Sequence, residues 1–189
     1  MANALREIKL RLGRSDDAPD VARLHTDSWR RHYRGAYSDR YLDGDLYADR
    51  LAVWAERMSR NDGGSFTVLA THQDRSVGFA HVIVDADATW GALIDNLHVT
   101  HAVQRSGIGS LLLDSVARTT MERRPGSGIY LWVLEPNEAA QAFYVARGGD
   151  LRDRAPTTPP QGDPRNLTGS PQKIRVVWPD PAALVLAAP

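Results

Sequence analysis

The residues best suited to chemistry lie in the run Gln104-Arg105-Ser106-Gly107-Ile108-Gly109-Ser110. Residues 93–99 before it read as a strand, with apolar side chains at Leu93, Leu97 and Val99. After it, Ile108, Leu111, Leu112, Leu113 and Val116 recur at the spacing of an apolar helical face. A turn of this kind leaves the first N–H groups of the helix without intrahelical partners, at the positive end of its dipole. Gly107 and Gly109 lack a Cβ, so a phosphate can approach the main chain closely there. A P-loop would need Lys followed by Ser or Thr after the second glycine, and Ser110-Leu111 stand there instead. A dinucleotide fingerprint would need a third glycine near position 112, which is leucine.

The run does carry the pattern Gln/Arg-x-x-Gly-x-Gly/Ala, preceded by the strand end Leu97-His98-Val99. In this it resembles the acyl-CoA-binding motif of the GNAT superfamily of N-acetyltransferases, and the stretch Trp29-x-x-x-Tyr33-Arg34-Gly35 looks like one seen in small uncharacterised bacterial members. A second match is Asn137-Glu138-Ala139-Ala140-Gln141-Ala142-Phe143-Tyr144-Val145-Ala146-Arg147-Gly148, which resembles the family's Asn-x(n)-Ala-x-x-Phe-Tyr-x-x-x-Gly stretch. The resemblance covers residues 7–178 and implies an α/β (α+β) fold. Its mixed central sheet would have about seven strands, splayed between the fourth and fifth and flanked by about four helices. It also implies acetyl-CoA as acyl donor, transferred directly to a primary amine. The exposed edge at Leu97, His98 and Val99 would then pair with the amide-bearing pantetheine arm as with an added strand. Gln104, Arg105, Ser106, Gly107, Ile108, Gly109 and Ser110 would wrap the pyrophosphate, and Asn137 would bond the arm or hold the local turn. The main-chain N–H of Val99 would face the reacting carbonyl oxygen.

Acetyl transfer to an amine needs two proton movements, one off the ammonium and one onto the departing thiolate. Tyr144 takes the family's tyrosine position, which implies contact with the thioester sulfur and the general-acid role; the bland alternative is a core tyrosine beside Phe143. Two groups compete as base. Asp95 lies two residues before Leu97, and His98 titrates closer to neutrality than an unperturbed carboxylate. Strict strand alternation puts Asn96 and His98 on the face opposite Asp95. A desolvated site could also deliver the neutral amine with no dedicated base. For the acceptor, Trp29 and Tyr33 share a helical face and could wall a cationic amine, although tryptophan at helical spacing is commonly core. Gly149-Asp150 follow Gly148 where the family usually has an aromatic or apolar residue, so the strand after that helix is expected to be displaced.

The remaining composition narrows the class. The 189 residues suit one domain, residues 1–178, with a proline-rich loop at 151–171 and a peripheral tail at 179–189. Net charge is zero, which gives no support for a nucleic-acid partner, and no apolar run has the length of a membrane span. Cysteine is absent, which excludes disulfides and a Cys acyl-enzyme. Only Lys9 and Lys173 are lysines among the 23 basic residues. His98 and His101 have no acidic or thiolate partner at ligand spacing, so no metal is expected. The N-terminus lacks a signal-peptide pattern, and a cytoplasmic location is expected. Family members often dimerise through their last strands; the sequence leaves the oligomeric state of this chain open. Two readings of another class stand beside the enzyme. One is a non-catalytic acyl-CoA-binding or sensing module of the same fold, and the other is an interaction domain that has lost CoA.

Overall fold

The computed structural model describes residues 7–60 and 62–186. Its regular elements are β1 (Ile8–Leu12), α1 (Ala18–His32), α2 (Asp39–Asp43), α3 (Leu46–Ser59), β2 (Ser65–His72), β3 (Arg75–Asp87) and β4 (Gly91–Val99). They continue with α4 (Ile108–Arg123), β5 (Ile129–Leu134), α5 (Glu138–Ala146), β6 (Asp150–Pro156) and β7 (Gln172–Trp178). The seven strands form one sheet in the order β1-β2-β3-β4-β5-β7-β6. Every neighbouring pair is antiparallel except β4 with β5. This is the mixed, helix-flanked sheet expected from the sequence.

Period-two alternation decides which helices cover which face. In β2, Val68 and Ala70 join the cluster of Leu112, Leu113 and Val116 from α4, while Leu69 between them joins Val21, Leu24 and Trp54 from α1 and α3. Every residue of β3 from Ser76 to Val82 is buried, so the strand is covered on both faces, as a central strand must be. The β2–β3 hairpin closes through Gln73 (φ 48°) and Asp74 (φ 60°), the left-handed pair that matches strand twist in a two-residue turn. Asp45 caps α3 by accepting from the Ala48 N–H at 3.2 Å. Asn61, after α3, lies outside the described residues.

Two expectations are corrected. Residues 151–156, read as the start of a proline-rich loop, belong to edge strand β6, antiparallel to β7. Its side chains are almost all exposed, so the apolar alternation that marks a half-buried strand is missing. Nor is the tail peripheral as far as it is described. Leu184 is fully buried in the main core, and the Leu186 N–H donates to Asp114 Oδ1 of α4 at 2.7 Å. Residues 187–189 of that tail, and 1–6 at the other end, lie outside the described residues.

Gly149 has a physical reason. A Cβ there would lie 2.6 Å from Val176 Cγ1 and 2.8 Å from Trp178 Cζ2. Trp178 fills the space and donates its indole N–H to the Arg147 carbonyl at 2.9 Å. The bulk expected at position 149 is thus supplied from β7, and β6 remains paired in the sheet.

Candidate active site at the sheet splay

β4 and β5 pair over only three positions, Ala92–Ile129, Leu93–Tyr130 and Ile94–Leu131. Beyond them the strands part, leaving a slot of about 50 Å³ between Asp95–Leu97–His98 and Trp132–Leu134, with Tyr33 and Tyr144 on its walls. The Thr100 N–H bonds the Val77 carbonyl on β3 at 2.8 Å. In an antiparallel ladder this sets the phase, so His98 and Asn96 spend their main-chain groups on β3. Leu97 and Val99 then turn theirs to the slot. The Val99 carbonyl accepts from the Gln104 side-chain amide at 3.2 Å, which fits that orientation.

The turn that follows has two residues at positive φ, Arg105 (61°) and Gly107 (90°), and this points successive N–H groups into one concavity. Gly107 is the N-cap of the sixteen-residue helix α4, and no side chain caps it. The cradle is formed by main chain: Ile108 is itself buried, and the Ser106 hydroxyl donates to the Val103 carbonyl at 2.6 Å. Gly109 is needed for a second reason. A Cβ there would stand 3.1 Å from Phe143 Cζ, so its absence lets α5 pack onto the first turn of α4. An uncapped helix start behind a left-handed turn fits a diphosphate.

Tyr144 is 8% exposed, and its phenol makes an edge contact with Trp178 at 6.0 Å between ring centroids. Burial, with Tyr33 nearby, holds its pKa above the ordinary phenol value. Asn137 caps α5, its Oδ1 accepting from the Ala140 N–H at 3.2 Å. Its amide N–H groups make no hydrogen bond among the described residues.

The expected opposition of Asp95 and His98 is corrected. β4 is bulged: His81 faces Asn96 and Val82 faces Ile94, so Asp95 has no partner on β3. The extra residue resets the alternation and turns Asp95 toward the same helical layer as His98. Asp95 Oδ2 accepts from Arg57 of α3 at 2.6 Å and from the Asn96 amide at 2.7 Å. The ring nitrogen Nδ1 of His98 lies 2.8 Å from Ser28 Oγ on α1, and the ring stacks on His25 at 4.9 Å. Burial, aided by His32, pushes the His98 pKa down to about 3, so the ring is neutral near pH 7.

Outside the slot is a pocket of about 200 Å³ bounded by Tyr33, Tyr37, Asp95, Trp132, Thr157 and Lys173. Tyr33 lines both spaces, and burial together with Asp95 raises its pKa to about 12. Trp29 is corrected to a core residue. It is 8% exposed, lines neither space, and its ring is covered by the Arg50 guanidinium at 4.4 Å. Of the pocket's walls, Tyr37 ends the aromatic stretch that the sequence offers, whereas Trp132, Thr157 and Lys173 carry no mark in it beyond the rarity of lysine. Among the described residues, no group of three or more His, Asp or Glu side chains is placed to hold a metal ion. Nor is any helix among them long and apolar enough to cross a membrane.

A splayed mixed sheet with an uncapped helix start beside the gap defines an architecture, and comparison with known proteins gives it a family. Residues 23–148 match the model of the acetyltransferase (GNAT) family, and the chain belongs to that family. A probable N-acetyltransferase of Mycobacterium tuberculosis is 28% identical over 156 residues, covering 81% of this chain and 86% of the relative. The PaiA N-acetyltransferase of Thermoplasma acidophilum, solved with coenzyme A, superposes with a TM-score of 0.69 at 19% identity, covering 90% of this chain and 99% of that one. The Salmonella typhimurium acetyltransferase candidate yncA, solved with acetyl-CoA, gives 0.64 at 15% identity, covering 91% and 93%.

Proposed function

We infer that this protein transfers an acetyl group from acetyl-CoA to a primary amine held in the pocket beside Asp95, by direct attack in a ternary complex. The observation that carries the reading is the slot itself: β4 and β5 part after Ile94 and Leu131, and Tyr144 lines the opening. Acetyl-CoA supplies a thioester whose C–S bond breaks as the acceptor's C–N bond forms. Leu97 and Val99 offer main-chain pairing to the pantetheine arm, and the N–H groups of residues 107–110 hold the diphosphate. Asp95 draws the ammonium in and takes its proton through water, with Arg57 and Asn96 orienting the carboxylate. Tyr144 is the general acid: its phenol, kept protonated by burial, hands a proton to the departing sulfur. The nitrogen sheds a second proton as the amide forms, and through water this replaces the one Tyr144 gave up, so the products are the amide, the CoA thiol and one proton. His98, neutral and bonded to Ser28, orients the slot wall and carries no proton in this scheme.

The test is calorimetric titration with acetyl-CoA, followed by a free-thiol assay over a panel of primary amines. Binding with amine-dependent thiol release is the expected result. No heat and no thermal protection by acetyl-CoA would overturn the reading, and binding without turnover on any amine would favour the non-catalytic module.

A further inference from the structure

Two groups in the outer pocket lack a partner that their burial calls for. Lys173 on β7 is half-buried, with its ammonium 4.8 Å above the Trp132 ring. Its neighbour Arg175 lies over the same ring at 4.5 Å but is paired with Asp153 at 3.2 Å and approaches Asp87 at 3.9 Å. Lys173 forms no ion pair among the described residues. Asp95 acts on it through space, yet that carboxylate is bound to Arg57 at 2.6 Å. Thr157 is the second group. It is 9% exposed, its main-chain N–H bonds the Pro171 carbonyl at 2.9 Å, and its buried Oγ1 has no hydrogen-bond partner.

A half-buried cation without a counter-ion and a buried hydroxyl without a partner are each unfavourable alone. Both residues bound one pocket; the hydroxyl oxygen is closed to solvent, so a turn of the threonine side chain would bring it to an anion at the ammonium. Asp95 bounds the same pocket and also reaches the slot, so the space presents opposite charges at two of its walls. The choice of lysine is itself unusual, since 23 basic residues include only Lys9 and Lys173 as lysines. One ammonium and one hydroxyl suit a carboxylate, and the guanidinium over the same Trp132 ring, Arg175, already lies beside Asp153.

We propose that the acceptor is a small zwitterion of the α-amino-acid type, its carboxylate held by Lys173 Nζ and Thr157 Oγ1 and its amine turned past Asp95 into the slot. This rests on the acetyl-transfer reading above and adds the substrate class. Lys173 sets specificity and touches the acceptor; it takes no part in proton transfer. Tyr33, Tyr37 and Trp132 form the apolar walls for the side chain of the acceptor.

The test compares matched pairs, L-leucine against isopentylamine and L-phenylalanine against phenethylamine, in the thiol assay at equal free-base concentration. That correction matters because an α-carboxylate also acidifies the amine. Each amino acid is expected to exceed its decarboxylated partner in kcat/KM. Lys173→Met should lower the amino-acid value by about 10- to 100-fold, the loss of one charge-assisted bond, and leave the amine within about threefold. Lys173→Arg should restore part of the loss. Thr157→Val should weaken the amino acids in the same direction while raising the melting temperature, because the orphaned hydroxyl is gone. A purely structural lysine would instead lower both members of each pair equally, and that outcome, or no change in either, overturns the proposal. If acetyl-CoA binds but no amine is acetylated, the same pairs are titrated into the CoA complex, and the carboxylate preference is read as a ratio of Kd values; a ratio near one overturns the inference. If acetyl-CoA does not bind, the acetyl-transfer reading fails separately, and titration of the pairs into the free protein still decides the pocket's preference.

Discussion

Replacing Tyr144 with phenylalanine isolates one oxygen atom. The ring stays, with its edge contact to Trp178 at 6.0 Å and its tilted contact to Phe143 at 5.3 Å, so its packing against both is kept. No internal hydrogen bond holds the phenol among the described residues, and its raised pKa comes from burial and Tyr33. Removing the hydroxyl should therefore change stability by less than about 1 kcal/mol. If the phenol protonates the leaving thiolate, the loss belongs to the transition state. General-acid assistance contributes roughly 10²–10⁴ in rate, and a 100-fold loss corresponds to about 2.7 kcal/mol. The expected result of Tyr144→Phe is kcat down by about 100-fold or more, with acetyl-CoA affinity changed less than about threefold. The assay is free-thiol release at saturating amine, beside calorimetry with acetyl-CoA. An acetyl thioester of a more acidic thiol gives a second check, because a better leaving group needs less help, and the defect should shrink with it. Since burial raises the phenol's pKa, deprotonation of Tyr144 should not limit the rate below its ordinary value of about 10. An unchanged kcat refutes the assignment. A loss of affinity equal to the loss of kcat/KM makes Tyr144 a binding residue and removes its proton from the mechanism.

Other consequences are open to direct measurement. His81, 3% exposed, has its pKa pressed down to about 4 by burial and by Arg57, and burial lowers that of His25 as well. Between pH 4 and 6.5 the unfolded chain binds protons that the folded one refuses, so stability present above about pH 6.5 is lost as pH falls. His81 alone accounts for on the order of 3 kcal/mol across that window, and His81→Gln should flatten the acid limb of melting temperature against pH. A melting temperature flat from pH 7.5 to 5 would contradict this. Gly149→Ala drives a methyl group to within 2.6 Å of Val176 and should destabilise by about 1–3 kcal/mol in urea titration. Leu184→Ala should cost about 2–5 kcal/mol, because Leu184 is fully buried in the main core; a change below 1 kcal/mol would mean that the tail is detached in solution.

The family, the sheet and the phosphate turn were legible because they depend on short-range patterns. Gly107, Gly109 and the apolar stripe of α4 lie within a few residues of one another, and the turn is shaped by main-chain geometry. Tyr144 was found through the match around Phe143, for the same reason. Strand β6 was expected only through the family resemblance, because as an edge strand it buries almost nothing and leaves no alternation to read. The tail looked peripheral because proline and alanine signal no element, although one leucine was enough to anchor it in the core.

The acceptor side was decided by tertiary structure. Trp29 and Tyr33 share a helical face, yet only the fold shows that Arg50 covers one ring while the other opens onto the slot. A single-residue bulge at Asp95 reverses the alternation that sequence alone must assume, and places its carboxylate with Arg57 on the helical side. Lys173 and Thr157 meet in one pocket only because β7 returns beside β5 and the segment after β6 folds back against it. Local patterns specify main-chain shapes, since neighbouring residues set φ, ψ and the apolar period. Which charge ends without a partner depends on residues brought together from distant parts of the chain, and that is fixed only when the sheet closes.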